Sequence, residues 1–122
     1  MAKTIMTVDD SPSVRQCIRI SLSGAGYSVV EAADGQEAFA KFQNSAASMV
    51  ITDLNMPNVD GIELIKKVRA TTAGKFIPII FLTTESDNAV KDKARAAGAS
   101  GWISKPFNED KLLAIVKKLL GS

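Results

Sequence analysis

The chain has 122 residues, 46% of them hydrophobic and 23% charged, which fits one globular domain over residues 1–122 with a single substantial core. With no histidine and one cysteine, Cys17, an internal disulfide, a His/Cys zinc site and Ser-His catalysis are excluded. The net charge of +2 does not point to nucleic acid, and the opening MAKTIMTVDDSP has too short an apolar run for a signal peptide or membrane span, so a cytoplasmic protein is expected.

A first strand is expected at Thr4–Val8, ending in Asp9 and Asp10. A helix follows, with Ser11 as N-cap, Pro12 at its first position, Val14, Cys17, Ile18 and Leu22 on one face and Gly24 as its stop. The run Ser28–Glu31 reads as a second strand, and Asp34 caps a second helix carrying Ala38, Phe39 and Phe42. Met49–Thr52 reads as a third strand that ends on a carboxylate, Asp53. A third helix follows Asp60, with Ile62, Ile65 and Val68 on its face. Strand four is expected at Ile77–Leu82, followed by Thr83 and Thr84, and a helix from about Asp87 to Ala97 is short of large apolar residues. Strand five, Trp102–Ser104, leads to Lys105. The last helix opens with Asn108, Glu109 and Asp110 and closes on Lys117 and Lys118, an order that suits the helix dipole. Its apolar set (Leu112, Ile115, Val116 and Leu119, with Leu113 and Leu120 beside them) is wider than one core contact needs, which leaves an edge for a partner.

Continuously apolar strands alternating with helices imply a parallel sheet covered on both faces, a doubly wound α/β fold of five βα units. In such sheets the ligand site lies beyond the carboxyl ends of the strands. Asp9, Asp10, Asp53, Thr83 and Lys105 all fall on that edge although they are far apart in sequence. Judged singly, each is a cap, a turn or a solvated residue. As a set they demand an explanation, because two carboxylates about 5 Å apart at an effective dielectric of roughly 20 repel by about 3 kcal/mol. Lys105 offsets part of that charge, and a hard cation with oxygen ligands, Mg2+, suits the rest. A metal, a hydroxyl and a lysine around a carboxylate on a stiff strand suit phosphoryl transfer with Asp53 as nucleophile.

Four segments in this order, VDDS (8–11), ITDLNMPNVDG (51–61), FLTTES (81–86) and GWISKPF (101–107), resemble the receiver domains of response regulators, of the single-domain chemotaxis (CheY) type. That resemblance implies a flavodoxin-like fold with strand order 2-1-3-4-5, an order for which chemotaxis receivers are themselves the standard illustration. It also implies a phosphorelay switch. Asp53 would take a phosphoryl group from the phosphohistidine of a sensor kinase of the CheA type. Asp10, Asp53 and the backbone carbonyl of Asn55 would bind Mg2+ directly, and Asp9 through water. Thr83 would be the switch hydroxyl and Lys105 the phosphoryl partner, while Asn55 and Glu85 would set the rate of hydrolysis. A target such as the flagellar motor switch would engage the face built from helix four, strand five and helix five, and a phosphatase would engage Asn55. Trp102 stands where this family usually has tyrosine or phenylalanine. No enzyme activity is expected beyond the chain's own phosphorylation and dephosphorylation, and a monomer without nucleic-acid or membrane partners is implied.

Other readings carry less. A flavin binder of the same fold needs a Ser/Thr/Gly-rich phosphate loop after strand one, where this chain has DDSPS, and a haloacid-dehalogenase phosphatase needs Asp-x-Asp, where it has Asp53-Leu54-Asn55. A phosphate sink, a regulator outside motility, and a scaffold working without phosphorylation stay open as alternative roles.

Overall fold

A computed structural model describes residues 3–54, 60–83, 88–105 and 107–121. Strands β1 (Thr4–Val8), β2 (Ser28–Ala32), β3 (Met49–Asp53), β4 (Ile79–Thr83) and β5 (Gly101–Ser104) alternate with helices α1 (Pro12–Gly24), α2 (Gly35–Asn44), α3 (Gly61–Arg69), α4 (Asn88–Ala97) and α5 (Glu109–Leu120). The strands form one parallel sheet in the order β2-β1-β3-β4-β5. This is the doubly wound order expected from the resemblance.

Each face of the sheet is buried by its own helices, which is why the strands are apolar throughout rather than alternating. On one face Met6, Val50 and Phe81 pack with Phe42 of α2, with Leu64 and Val68 of α3 and with Ala94 of α4. On the other, Ile5, Ile51 and Leu82 pack with Leu22 of α1 and with Leu112 and Val116 of α5. The wide apolar stripe of α5 is spent largely inside the fold, since Leu113, Ile115, Leu119 and Leu120 are half-buried against the same cluster. Ala94 is the only fully buried residue of α4, in line with its shortage of large apolar side chains.

The caps fall where the sequence puts them: Ser11, Asp34, Asp60 and Asn108 each accept a backbone N–H three residues on. Five strand boundaries differ from expectation. β2, β3 and β4 each run one residue further, to Ala32, Asp53 and Thr83, and β5 begins a residue earlier, at Gly101. β4 begins at Ile79 and not Ile77, because Pro78 has no N–H to give the ladder and contributes only its carbonyl, which accepts from Val50 N at 3.1 Å. Helix α1 ends at Gly24 as expected, but Gly24 is not the residue that turns the chain. The helix closes in a Schellman arrangement, with Gly26 N and Tyr27 N donating to Ser23 O and Leu22 O, and that geometry requires the left-handed residue at Gly26 (φ 96°). In α3 the buried face is Leu64, Ile65 and Val68, with Ile62 at its half-buried margin. Among the described residues no helix is long and apolar enough to cross a membrane.

Candidate functional site

The parallel sheet brings the carboxyl ends of β1, β3, β4 and β5 to one edge, and the polar residues anticipated there meet. Asp9, Asp53 and Thr83 are buried, while Asp10 is exposed. One carboxylate oxygen from each of Asp9, Asp10 and Asp53 can be chosen so that all three lie within 4.8 Å of one another. Lys105 reaches across: its Nζ lies 3.2 Å from Asp9 Oδ2 and 3.2 Å from Asp53 Oδ2. Of the cations among the described residues, it alone forms an ion pair with this trio.

Each group is held by its own backbone as well. Asp53 Oδ1 accepts the N–H of the next residue, Leu54, at 2.8 Å, which fixes the carboxylate on the strand tip. Asp9 Oδ1 accepts Ser11 N at 2.9 Å, Asp9 N donates to Ala32 O of β2, and the Asp9 carbonyl accepts from Arg15 Nη1. Lys105 N donates to Thr83 O at 2.8 Å, so the lysine leaves the sheet from the rung next to the buried threonine. Three residues that support the site, Arg15, Ala32 and Gly61, were not singled out by sequence reasoning. Arg15 and Ala32 act through distant backbone carbonyls, for which a sequence has no signal. The third, Gly61, carried one: it follows the cap Asp60. A Cβ there would lie 2.2 Å from Asp53 O and 2.7 Å from Leu54 Cα, so only glycine lets α3 start against the end of β3.

The electrostatics follow from burial. Removal from water pushes the Asp9 carboxyl above its usual 3.8, the Ser11 N–H opposes this, the Asp53 charge adds to it and Lys105 works against it. For Lys105, burial by itself disfavours the ammonium, but the charges of Asp53 and Asp9 and the hydrogen bonds to both outweigh it, so its pKa is held above 10.5. The trio therefore carries more negative charge than its lysine offsets. An all-oxygen, carboxylate-rich donor set with one exposed member suits a hard, partly hydrated cation such as Mg2+.

Trp102 lies on the α4 side of β5. Its half-buried ring stacks on Phe81 of the neighbouring strand at 6.1 Å between centroids and 25° between planes. Arg95 and Lys91 of α4 lie over it at 4.4 and 5.0 Å. Asn55, Thr84 and Glu85 lie outside the described residues.

A family profile of the response regulator receiver domain matches residues 5–117. The chemotaxis protein CheY1 of Helicobacter pylori is 42% identical over 120 residues, covering 97% of each chain. The structure is similar to that of the chemotaxis response regulator CheY4 of Vibrio cholerae, with a TM-score of 0.93 at 43% identity, covering 98% of this chain and 99% of that one. It is also similar to the receiver domain of a sensor histidine kinase from Pseudomonas aeruginosa, with a TM-score of 0.92 at 28% identity over the whole of both chains. The structure of that protein has a magnesium ion coordinated in its active-site cleft.

Proposed function

Since the chain belongs to the response regulator receiver domain family, we propose that it is a phosphorelay switch of the chemotaxis type, with Asp53 as the phosphoacceptor. The observation that carries this is the Lys105 ammonium shared between Asp9 and Asp53 at 3.2 Å each, beside an exposed third carboxylate. Asp53 presents a carboxylate on a buried strand, oriented by the Leu54 N–H. One of its oxygens bonds to the phosphorus of a kinase phosphohistidine as the P–N bond breaks, and the imidazole leaves with the electron pair and takes up a proton. Lys105 pairs with the transferred phosphoryl oxygens, and Thr83, buried at the end of β4, supplies the hydroxyl that reads them. Water attack on the same phosphorus later restores the carboxylate.

Mg2+, when bound, spreads charge over the phosphoryl oxygens. The residues to hold it are Asp10 and Asp53 with the carbonyl of Asn55. Asp9 acts through water, an assignment that rests on its match to the family pattern. Asn55 and Glu85 tune hydrolysis, a role that rests on their match to the family pattern.

The likeness to chemotaxis proteins along almost the whole chain supports a cytoplasmic protein that takes its phosphoryl group from a kinase of the CheA type and acts on a target such as the flagellar motor switch. The α4–β5–α5 face is the proposed output surface, with a phosphatase engaging Asn55. The test is mass spectrometry of the purified protein with acetyl phosphate or a phosphohistidine donor. One magnesium-dependent phosphoryl group is expected, absent in Asp53→Asn; a chain that takes none under these conditions is not a phosphorelay switch.

A further inference from the structure

Asp10 is the exposed member of the acidic trio, and among the described residues no hydrogen bond or ion pair holds its carboxylate. Its direction therefore comes from the backbone. The carbonyl of Asp9 and the N–H of Asp10 belong to one planar peptide unit, so a group that fixes the carbonyl fixes the plane from which Asp10 departs. That group is Arg15, one turn into α1, whose Nη1 donates to the Asp9 carbonyl.

Arg15 is itself seated from the edge strand. Its Nε lies 3.5 Å from Glu31 Oε1, while Glu31 Oε2 takes Arg19 Nη1 at 2.8 Å and the Glu31 carbonyl takes Lys41 Nζ at 2.6 Å. The next residue on that strand, Ala32, accepts the Asp9 N–H. Both polar atoms of the Asp9 main chain are thus tied to β2, one directly and one through the guanidinium. We infer that Arg15, seated by Glu31, is a positioning residue for the divalent-cation site, setting the Asp9–Asp10 peptide and through it the aim of the Asp10 carboxylate. This rests on the reading of the acidic trio as that site.

The residue types suit the task. A planar guanidinium can hold a carbonyl with one edge and a carboxylate with another, which an ammonium on a flexible stem does not do. Pairing with Glu31, which Arg19 shares, offsets only part of the charge that repels a cation. Position and charge consequently make opposite predictions. If Arg15 acted through charge alone, Arg15→Met would tighten Mg2+ binding and Arg15→Lys would leave it unchanged; if it positions the peptide, both weaken it.

The experiment is calorimetric titration of Mg2+ into wild type, Arg15→Lys, Arg15→Met and Glu31→Gln, with the metal-free melting temperature of each as the readout of a purely structural role. Roughly tenfold weaker binding is expected for both Arg15 variants, the scale on which partners behind metal ligands act, and a smaller loss for Glu31→Gln. Melting temperatures that fall while the Mg2+ dissociation constants stay at the wild-type value would overturn the proposal, and so would tighter binding by Arg15→Met. If Arg15→Met does not fold, Arg15→Lys and Glu31→Gln decide, and unchanged affinity in both overturns it. Wild type that binds no Mg2+ defeats the reading of the trio itself, an outcome distinct from wild-type binding that the variants preserve.

Discussion

Replacing Lys105 by methionine keeps most of the length of the side chain and removes the charge that joins Asp9 to Asp53. Two carboxylates that now share one ammonium at 3.2 Å each would then face each other with oxygens no more than 4.8 Å apart. At that separation and an effective dielectric near 20, their repulsion is about 3.5 kcal/mol. The full amount is not expected, because Asp9 can escape by taking up a proton, and its carboxyl already sits above 3.8 through burial and the Asp53 charge. A loss of about 2–3 kcal/mol at pH 7 without metal is the expected outcome. A carboxyl whose folded pKa is raised favours the folded state below its unfolded value, and that stabilisation is lost as pH rises through the folded value. The deficit of Lys105→Met should therefore shrink between pH 7 and pH 5, and Mg2+ at pH 7 should reduce it by supplying the missing positive charge. Urea unfolding at both pH values, with and without Mg2+, reads all three effects. A variant as stable as wild type at pH 7, or a deficit indifferent to both pH and Mg2+, would refute the electrostatic account of the site.

Two other perturbations probe the supports of the site. Gly61→Ala puts a methyl 2.2 Å from Asp53 O and 2.7 Å from Leu54 Cα, backbone atoms that cannot swing aside, so about 2–3 kcal/mol should be lost in urea unfolding and phosphoryl uptake slowed; a wild-type midpoint would mean that α3 can shift its start at little cost. Trp102, the only tryptophan, rests on Phe81, two residues before Thr83 on β4, so its emission should change with a phosphoryl donor or a beryllofluoride mimic and stay unchanged in Asp53→Asn and Thr83→Ala. A constant spectrum in fully phosphorylated wild type would show that the indole, held between Phe81 and Arg95, takes no part in the switch.

Local features were the legible ones. Ser11, Asp34, Asp60 and Asn108 cap their helices because a short polar side chain before an apolar-periodic run has few other uses. The runs at Met49–Thr52 and Ile77–Leu82 announce buried parallel strands because both faces must be covered. What failed turned on conformation or distance. Gly24 and Gly26 look alike in sequence, and only the Schellman hydrogen bonds single out the second. Likewise Lys105 was expected at the acidic edge, but that it would serve Asp9 and Asp53 equally, across 96 and 52 residues of chain, depends on where three strands end.

That dependence makes the site a property of register rather than of any one residue. Val8 pairs with Thr52, Asp53 with Leu82 and Thr83 with Ser104, so Asp9, Asp53 and Lys105 each leave the sheet at or just past its last rungs. A slip of one residue between β4 and β5 would turn Lys105 to the opposite face and carry Trp102 away from Phe81 at the same time, because alternate residues face opposite sides. Chemistry and aromatic contact are thus set by a single strand pairing. The buried residues that fix it, Phe81 and Leu82 on β4 and Ile103 on β5, hold the lysine at its acids as firmly as they hold the indole on its ring.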